Sequence, residues 1–229
     1  MSETFWIVAL LGGLVALDTT AGPQVMISQP IVACPVLGLL LGDLETGLLF
    51  GTILELIWIG TVPAGASRFF DSNMAGVAAA GAAIWAMQQC GIARPSATLL
   101  SLAVVLPIGL LGSRMTVGVR KLNGFLIRKA DVAAQSGHSF RVSLCHGCGV
   151  GFSFVRGACL NLLGTVTGGL FVSAVAGCLP PVREDRFAIA VMALIGLGGA
   201  VCLKLFGTKR LAPWIVLGLS MGMLVRFLG

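Results

Sequence analysis

The chain has 229 residues, of which 57% are hydrophobic and only 10% charged, and its mean hydropathy is +0.99. Soluble domains carry about 25% charged residues, so this sequence lacks the polar side chains to cover a water-soluble globule, and its exterior is suited to lipid. The net charge is +6, but no basic stretch interleaved with aromatics on a soluble surface occurs, which excludes a nucleic-acid partner. The fold class expected is an all-α integral membrane protein, a polytopic bundle of about six to eight apolar segments with broken or re-entrant helices in the N-terminal third.

The opening MSETFWIVALL lacks the basic flank and small-residue cleavage site of a signal peptide, so the first apolar segment is expected to remain in the mature protein. Phe5–Ala16 is apolar and stops at Asp18-Thr19-Thr20-Ala21-Gly22-Pro23. Pro30–Leu41 follows, interrupted by Pro35 and closed by Gly42-Asp43. Twelve residues cover only about 18 Å of a roughly 30 Å hydrocarbon core, so both pieces are short for simple spans. Segments of this kind look like the discontinuous helices of transporters, which point to a site near the midplane. Short helices in a thick bundle would read the same way.

Thr46–Val62 is long enough to span, and Glu55 is its only charge. A carboxylate at membrane depth costs about 2.5–3.5 kcal/mol on insertion scales, so Glu55 is expected to face a protein interior or a water-filled cavity. Residues 63–73, PAGASRFFDSN, then form a polar loop, either exposed or re-entrant. Met74–Gln88 is rich in Ala and closely packable. Ser96–Leu111 contains Pro107, which is expected to kink a membrane helix rather than end it.

The acids Glu3, Asp18, Asp43, Glu45, Glu55 and Asp71 precede Asn73 with Arg68 as the sole base. From 114 to 156 the bases Arg114, Arg120, Lys121, Arg128, Lys129, Arg141 and Arg156 face only Asp131. The positive-inside rule puts that basic region in the cytoplasm. Within Arg114–Ser143 apolar and charged residues alternate as in a helix lying on the membrane or packed on a partner, and an ordinary connector fits equally well. Gly147–Pro180, Phe187–Leu203 and Leu211–Leu228 complete the apolar segments, the first broken only by Arg156. The chain therefore reads as a single membrane domain over 1–229. Residues 1–113 form the substrate-site half, 114–146 a basic cytoplasmic connector, and 147–229 the C-terminal helices.

The side chains fit for chemistry gather in the first third. Glu55, Asp71, Gln29, Asn73, Ser67 and Ser28 are the candidate substrate-binding residues, with Asp18 and Gln24 in the same cluster. Carboxylates and amides suit sugar hydroxyls, which donate to an acid or amide oxygen and accept from an amide nitrogen. Trp58, three residues beyond Glu55, offers either an apolar platform for a sugar ring or a membrane-interface anchor. No Ser-His-Asp set or phosphate loop is present, so no catalytic residue is assigned. Cys145-His146-Gly147-Cys148 has ligand spacing, but a structural zinc site needs four ligands and no second pair exists; no metal or cofactor is expected. From the residues alone Glu55 remains open as ligand contact, structural hydrogen-bonder or proton carrier.

Gln29-Pro30-Ile31-Val32-Ala33-Cys34, then Leu37-Gly38, Gly42-Asp43-Leu44-Glu45-Thr46-Gly47 and Gly51-Thr52-Ile53-Leu54-Glu55-Leu56-Ile57, with Gly65-Ala66 and Asp71 beyond, form a continuous signature. It resembles that of the mannose/fructose/sorbose-type phosphotransferase-system (PTS) permease, IIC component. Ala130-Asp131-Val132-Ala133-Ala134-Gln135-Ser136-Gly137 is similar to the family's cytoplasmic segment, and His146 and Arg156 follow at its spacing. Two departures stand out: Met26-Ile27-Ser28 replaces a Gln-Phe-His stretch, and Phe69-Phe70 precedes Asp71 where a Pro is common.

The resemblance implies a multi-pass sugar-translocating subunit of the bacterial cytoplasmic membrane. Such a subunit works in a hetero-oligomer with a IID membrane subunit and with cytoplasmic IIA and IIB phosphocarriers. The phosphorylated histidines of such systems belong to IIA and IIB, so no phosphoryl-carrying residue is expected here, and His146 is expected to hydrogen-bond within the bundle or at the IID interface. Glu55 and Asp71 match acidic positions that look like sugar-site residues, and Gln29 matches the polar residue before the signature proline. A non-transporting receptor or assembly subunit, and an ion-coupled transporter using Glu55, are the alternative readings.

Overall fold

A computed structural model describes residues 2–60, 69–207, 213–214, 216–218 and 220. Among these residues the chain forms seven helices, α1 (Ser2–Thr20), α2 (Pro30–Leu40), α3 (Leu44–Trp58), α4 (Ser72–Cys90), α5 (Arg94–Gln135), α6 (Ser139–Cys178) and α7 (Glu184–Phe206), and no strand. The all-α polytopic bundle read from composition is the observed architecture. Four helices, α1, α5, α6 and α7, are long and apolar enough to cross a membrane. Their outward-facing Leu10, Leu14, Leu106, Leu110, Leu163, Leu170, Ile189 and Met192 stay exposed on the bundle surface, where lipid is the natural cover.

α1 corrects one expectation. It begins at Ser2 and takes in the polar Asp18-Thr19-Thr20, so it reaches 19 residues, about 28 Å, and is no short piece. Thr19 and Thr20 stay helical because their hydroxyls donate back to the Val15 and Ala16 carbonyls at 2.7 and 2.8 Å. Hydrophobicity alone ends this helix at Ala16, whereas its last turn needs only satisfied backbone groups.

α2 and α3 form an antiparallel hairpin of two short helices, 11 and 15 residues long. The chain reverses at Gly42, whose φ of 78° favours glycine, and Asp43 caps α3 by accepting from the Thr46 amide at 3.1 Å and its hydroxyl at 2.9 Å. The two helices touch through backbone: a methyl on Gly47 would meet the Cys34 carbonyl at 2.5 Å, and one on Gly51 the Pro30 carbonyl at 2.7 Å. Thr46–Val62 is thus not one straight span: α3 ends at Trp58, and the sequence from Thr61 to Arg68 lies outside the described residues. The broken helices of the N-terminal third are this hairpin.

α4 is the core. Every residue from Met74 to Ala86 is buried, which is why its Ala and Gly content reads as packable rather than lipophilic. α1, α2, α3, α5 and α6 all pack on it. α1 meets α6 at Gly12, where a methyl would come within 2.7 Å of both the Gly157 carbonyl and Asn161 Cβ.

α5 and α6 differ from the reading of 114–146 as a separate surface helix or connector. α5 runs unbroken through Pro107 for 42 residues, about 63 Å, and α6 for 40, about 60 Å, each roughly twice a hydrocarbon core. They turn at Gly137, φ 71°, whose neighbour His138 donates to the Ala133 carbonyl at 2.9 Å. The basic segment is therefore the far half of a helical hairpin. α7 rests lightly on α3, with Gly198 against Leu56 as its one buried residue; Leu211–Leu228 falls mostly outside the described residues.

Candidate functional site: a polar cavity at the open end of the helix hairpin

At the end of the bundle opposite Gly42, a cavity of about 1140 Å³ opens between the last turn of α1, the 21–29 loop, the open end of the α2–α3 hairpin and the far halves of α5 and α6. It exceeds the usual 300–1,000 Å³ of small-molecule sites, so a monosaccharide would share it with water. Its wall is mixed. Asp18, Gln24, Gln29, Glu55 and Asn73 lie on the α1–α4 side, and Arg120, Asn123, His146, Ser153 and Arg156 on the α5–α6 side.

Glu55 occupies the last turn of α3, where that helix's own dipole disfavours a carboxylate. The neighbouring helix end reverses the argument. Pro30 starts α2, its N-cap Gln29 makes no side-chain cap, and Glu55 Oε2 accepts from the Ile31 amide at 3.3 Å. The carboxylate thus supplies the cap that α2 lacks, across 24 residues of sequence. Among the described residues no basic group pairs with it, and its other oxygen makes no hydrogen bond. Beside it, Trp58 stacks on Phe70 at 5.1 Å and 14°, so the indole belongs to an aromatic wall of the cavity.

Asp18 is 6% exposed and turned into the 21–29 loop. Its Oδ1 accepts from the Val25 amide at 2.7 Å and its Oδ2 from the Ser28 amide at 2.8 Å. The same loop contains two non-glycine residues at positive φ, Gln24 at 54° and Met26 at 66°.

Asp71 and Arg156 form a buried pair, Nη1 to Oδ2 at 2.8 Å, each side chain 3% exposed. Asp71 also caps α4, its Oδ1 accepting from Met74 at 3.3 Å. Arg156 Nη1 donates to the Thr116 hydroxyl at 2.7 Å, and that hydroxyl donates to the Gly112 carbonyl at 2.9 Å. Arg156 Nη2 is buried and has no partner among the described residues. The lone charge of the 147–180 run is explained: it neutralises the acid from α4.

Of the sequence-derived candidates, Glu55, Gln29, Asn73, Ser28 and Asp71 all line the cavity. Ser67 lies outside the described residues. Asp71 has both oxygens engaged, whereas among the described residues Glu55 engages one. The α5–α6 side of the cavity, with Arg120, Asn123 and Thr116, was not anticipated; Arg156 carried a signal, being the single charge of an apolar run, as Glu55 was. His146 sits exposed on the cavity wall.

Residues 4–227 match the family described as the PTS system sorbose-specific IIC component. The chain belongs to this family. A sorbose-specific EIIC component of Klebsiella pneumoniae is 30% identical over 195 residues, 85% of this chain and 70% of the relative. A fructose permease IIC component of Bacillus subtilis (strain 168) is 27% identical over 190 residues, covering 83% and 68%. The fold resembles a chain in the cryo-EM structure of the mannose transporter ManYZ with microcin E492, with a TM-score of 0.64, 22% identity, and coverage of 97% of this chain and 87% of that one. The IIC signature residues Gly38, Gly42, Asp43, Gly47, Gly51 and Glu55 all fall in the α2–α3 hairpin.

Proposed function

We propose that the chain is the sugar-translocating IIC subunit of a mannose-family phosphotransferase system. It takes a hexose or related sugar into the cavity and passes it inward for phosphorylation by a IIB component. The observation that carries the reading is the Glu55 carboxylate, held at the open end of a helix hairpin with one oxygen bonded among the described residues and lining a cavity with amides, hydroxyls and an aromatic pair. A carboxylate so placed accepts from sugar hydroxyls, and Gln29, Asn73 and Ser28 complete a donor and acceptor set. Asp71 serves by holding Arg156 and the start of α4. The family match favours this reading over the ion-coupled transporter and the non-transporting subunit.

The α5–α6 hairpin carries the basic residues and lines the cavity. With that hairpin cytoplasmic by the positive-inside rule, the cavity opens inward, toward IIA and IIB. The bacterial cytoplasmic membrane and a IID subunit complete the assembly we infer. Glu55→Gln, in the complex purified with its IID partner, should weaken binding of whichever of sorbose, fructose or mannose the wild type takes by at least about tenfold, the worth of a charged acceptor. Unchanged affinity by titration calorimetry would remove Glu55 from the site.

A further inference from the structure

We propose that Asp18 is a positioning residue of the sugar site, acting through the 21–29 loop and not by touching the sugar. The identity of the ligand rests on the function proposed above; the mechanical role of Asp18 does not. The loop adopts a shape its own residues disfavour. Gln24 and Met26 sit in the left-handed region, where a Cβ crowds the backbone. Packing does not hold them there, because Val25, Met26 and Ile27 are 57, 65 and 45% exposed. The hold comes from a carboxylate, nearly buried, accepting short hydrogen bonds from Val25 and Ser28. Both oxygens are spent on the loop, so Asp18 acts through the residues at the loop's far end. Ser28 is buried at the cavity, Gln29 opens α2, and Ile31 donates to Glu55. The route from Asp18 to the carboxylate of the proposed site is thus a pinned loop and one helix end.

Asp18→Asn tests this with little change of shape, since an amide offers one acceptor oxygen and turns an NH₂ toward the second backbone N–H. In the full chain purified with its membrane partner, backbone hydrogen exchange across 22–29 should accelerate at least about tenfold while α4 stays protected. The affinity for whichever of sorbose, fructose and mannose binds the wild type should fall by about tenfold or more. A second variant reaches the loop without touching the carboxylate: Met26→Pro forbids the positive φ and should lower affinity with Asp18 intact. Unchanged exchange at 22–29 in Asp18→Asn, or equal loosening of α4, would overturn the positioning role, as would full affinity in Met26→Pro. A wild type that binds none of the three sugars counts against the sugar reading alone, because exchange still reports whether Asp18 holds the loop.

Discussion

The buried Asp71–Arg156 pair shows how a charge becomes tolerable at a depth where it should be costly. Neither group alone would be stable at 3% exposure; together they share a 2.8 Å hydrogen bond, and Asp71 also caps α4. Removing one partner leaves an uncompensated charge, which typically costs about 3–5 kcal/mol, whereas replacing both with apolar residues is often nearly neutral. Asp71→Asn is therefore expected to lower unfolding stability by that amount in detergent, and Asp71→Leu with Arg156→Met by much less. Equal losses in the single and double variants would show that the pair is not the source of stability in this corner. The sequence exposed Arg156 as the lone charge of an apolar run and Asp71 as an acid of a polar loop, and family spacing pointed to both, but their pairing across 85 positions could not be read. Glu55 shows the same limit: its depth marked it as functional, while its service to the amide end of α2 depends on a hairpin geometry invisible in a residue count.

At the scale of the element, half of the α2–α3 hairpin was legible: 30–41 reads as a short, interrupted segment, whereas 46–62 reads as a span and α3 ends at Trp58. Pro35 and Gly42-Asp43 mark the short α2, and the structure uses Gly38, Gly47 and Gly51 for close backbone contact between the two helices. The contact is tight enough to test. A methyl at Gly47 would lie 2.5 Å from the Cys34 carbonyl and 3.0 Å from Pro35 Cα, neither of which can swing aside. Gly47→Ala should splay the hairpin, cost about 1–3 kcal/mol as overpacked sites do, and weaken sugar binding by separating Glu55 from Ile31. Gly118 in α5 has open space around it, and Gly118→Ala should be neutral or stabilising by about 0.5–1 kcal/mol. Thermal melts of both variants decide whether the difference lies in packing or in helix propensity. The long α5–α6 hairpin was less legible, because its far half is amphipathic and basic, a pattern shared by surface helices, connectors and helices that outrun the bilayer.

For the whole molecule, the inward-facing cavity we propose rests on the positive-inside rule and can be tested directly. Cys replacements at Ser136, by the α5–α6 turn, and at the exposed Leu179, after α6, lie at opposite ends of the bundle. In a background without native cysteines, a membrane-impermeant maleimide added outside should label the Leu179 site and leave the Ser136 site untouched. The reverse pattern would place the cavity mouth outside and contradict delivery to cytoplasmic phosphocarriers. Composition alone established the membrane class, because hydropathy is a bulk property; which helix lies at the centre was decided by enclosure, as the alanine-rich α4 shows. One consequence of the fold concerns its own making. Asp71 and Arg156 are 85 residues apart, and at about 5–20 residues per second the ribosome delivers the arginine roughly 4–17 s after the aspartate. Through that interval α4 has to wait with a proton or water on its acid, so the core helix of this transporter is completed only when α6 arrives.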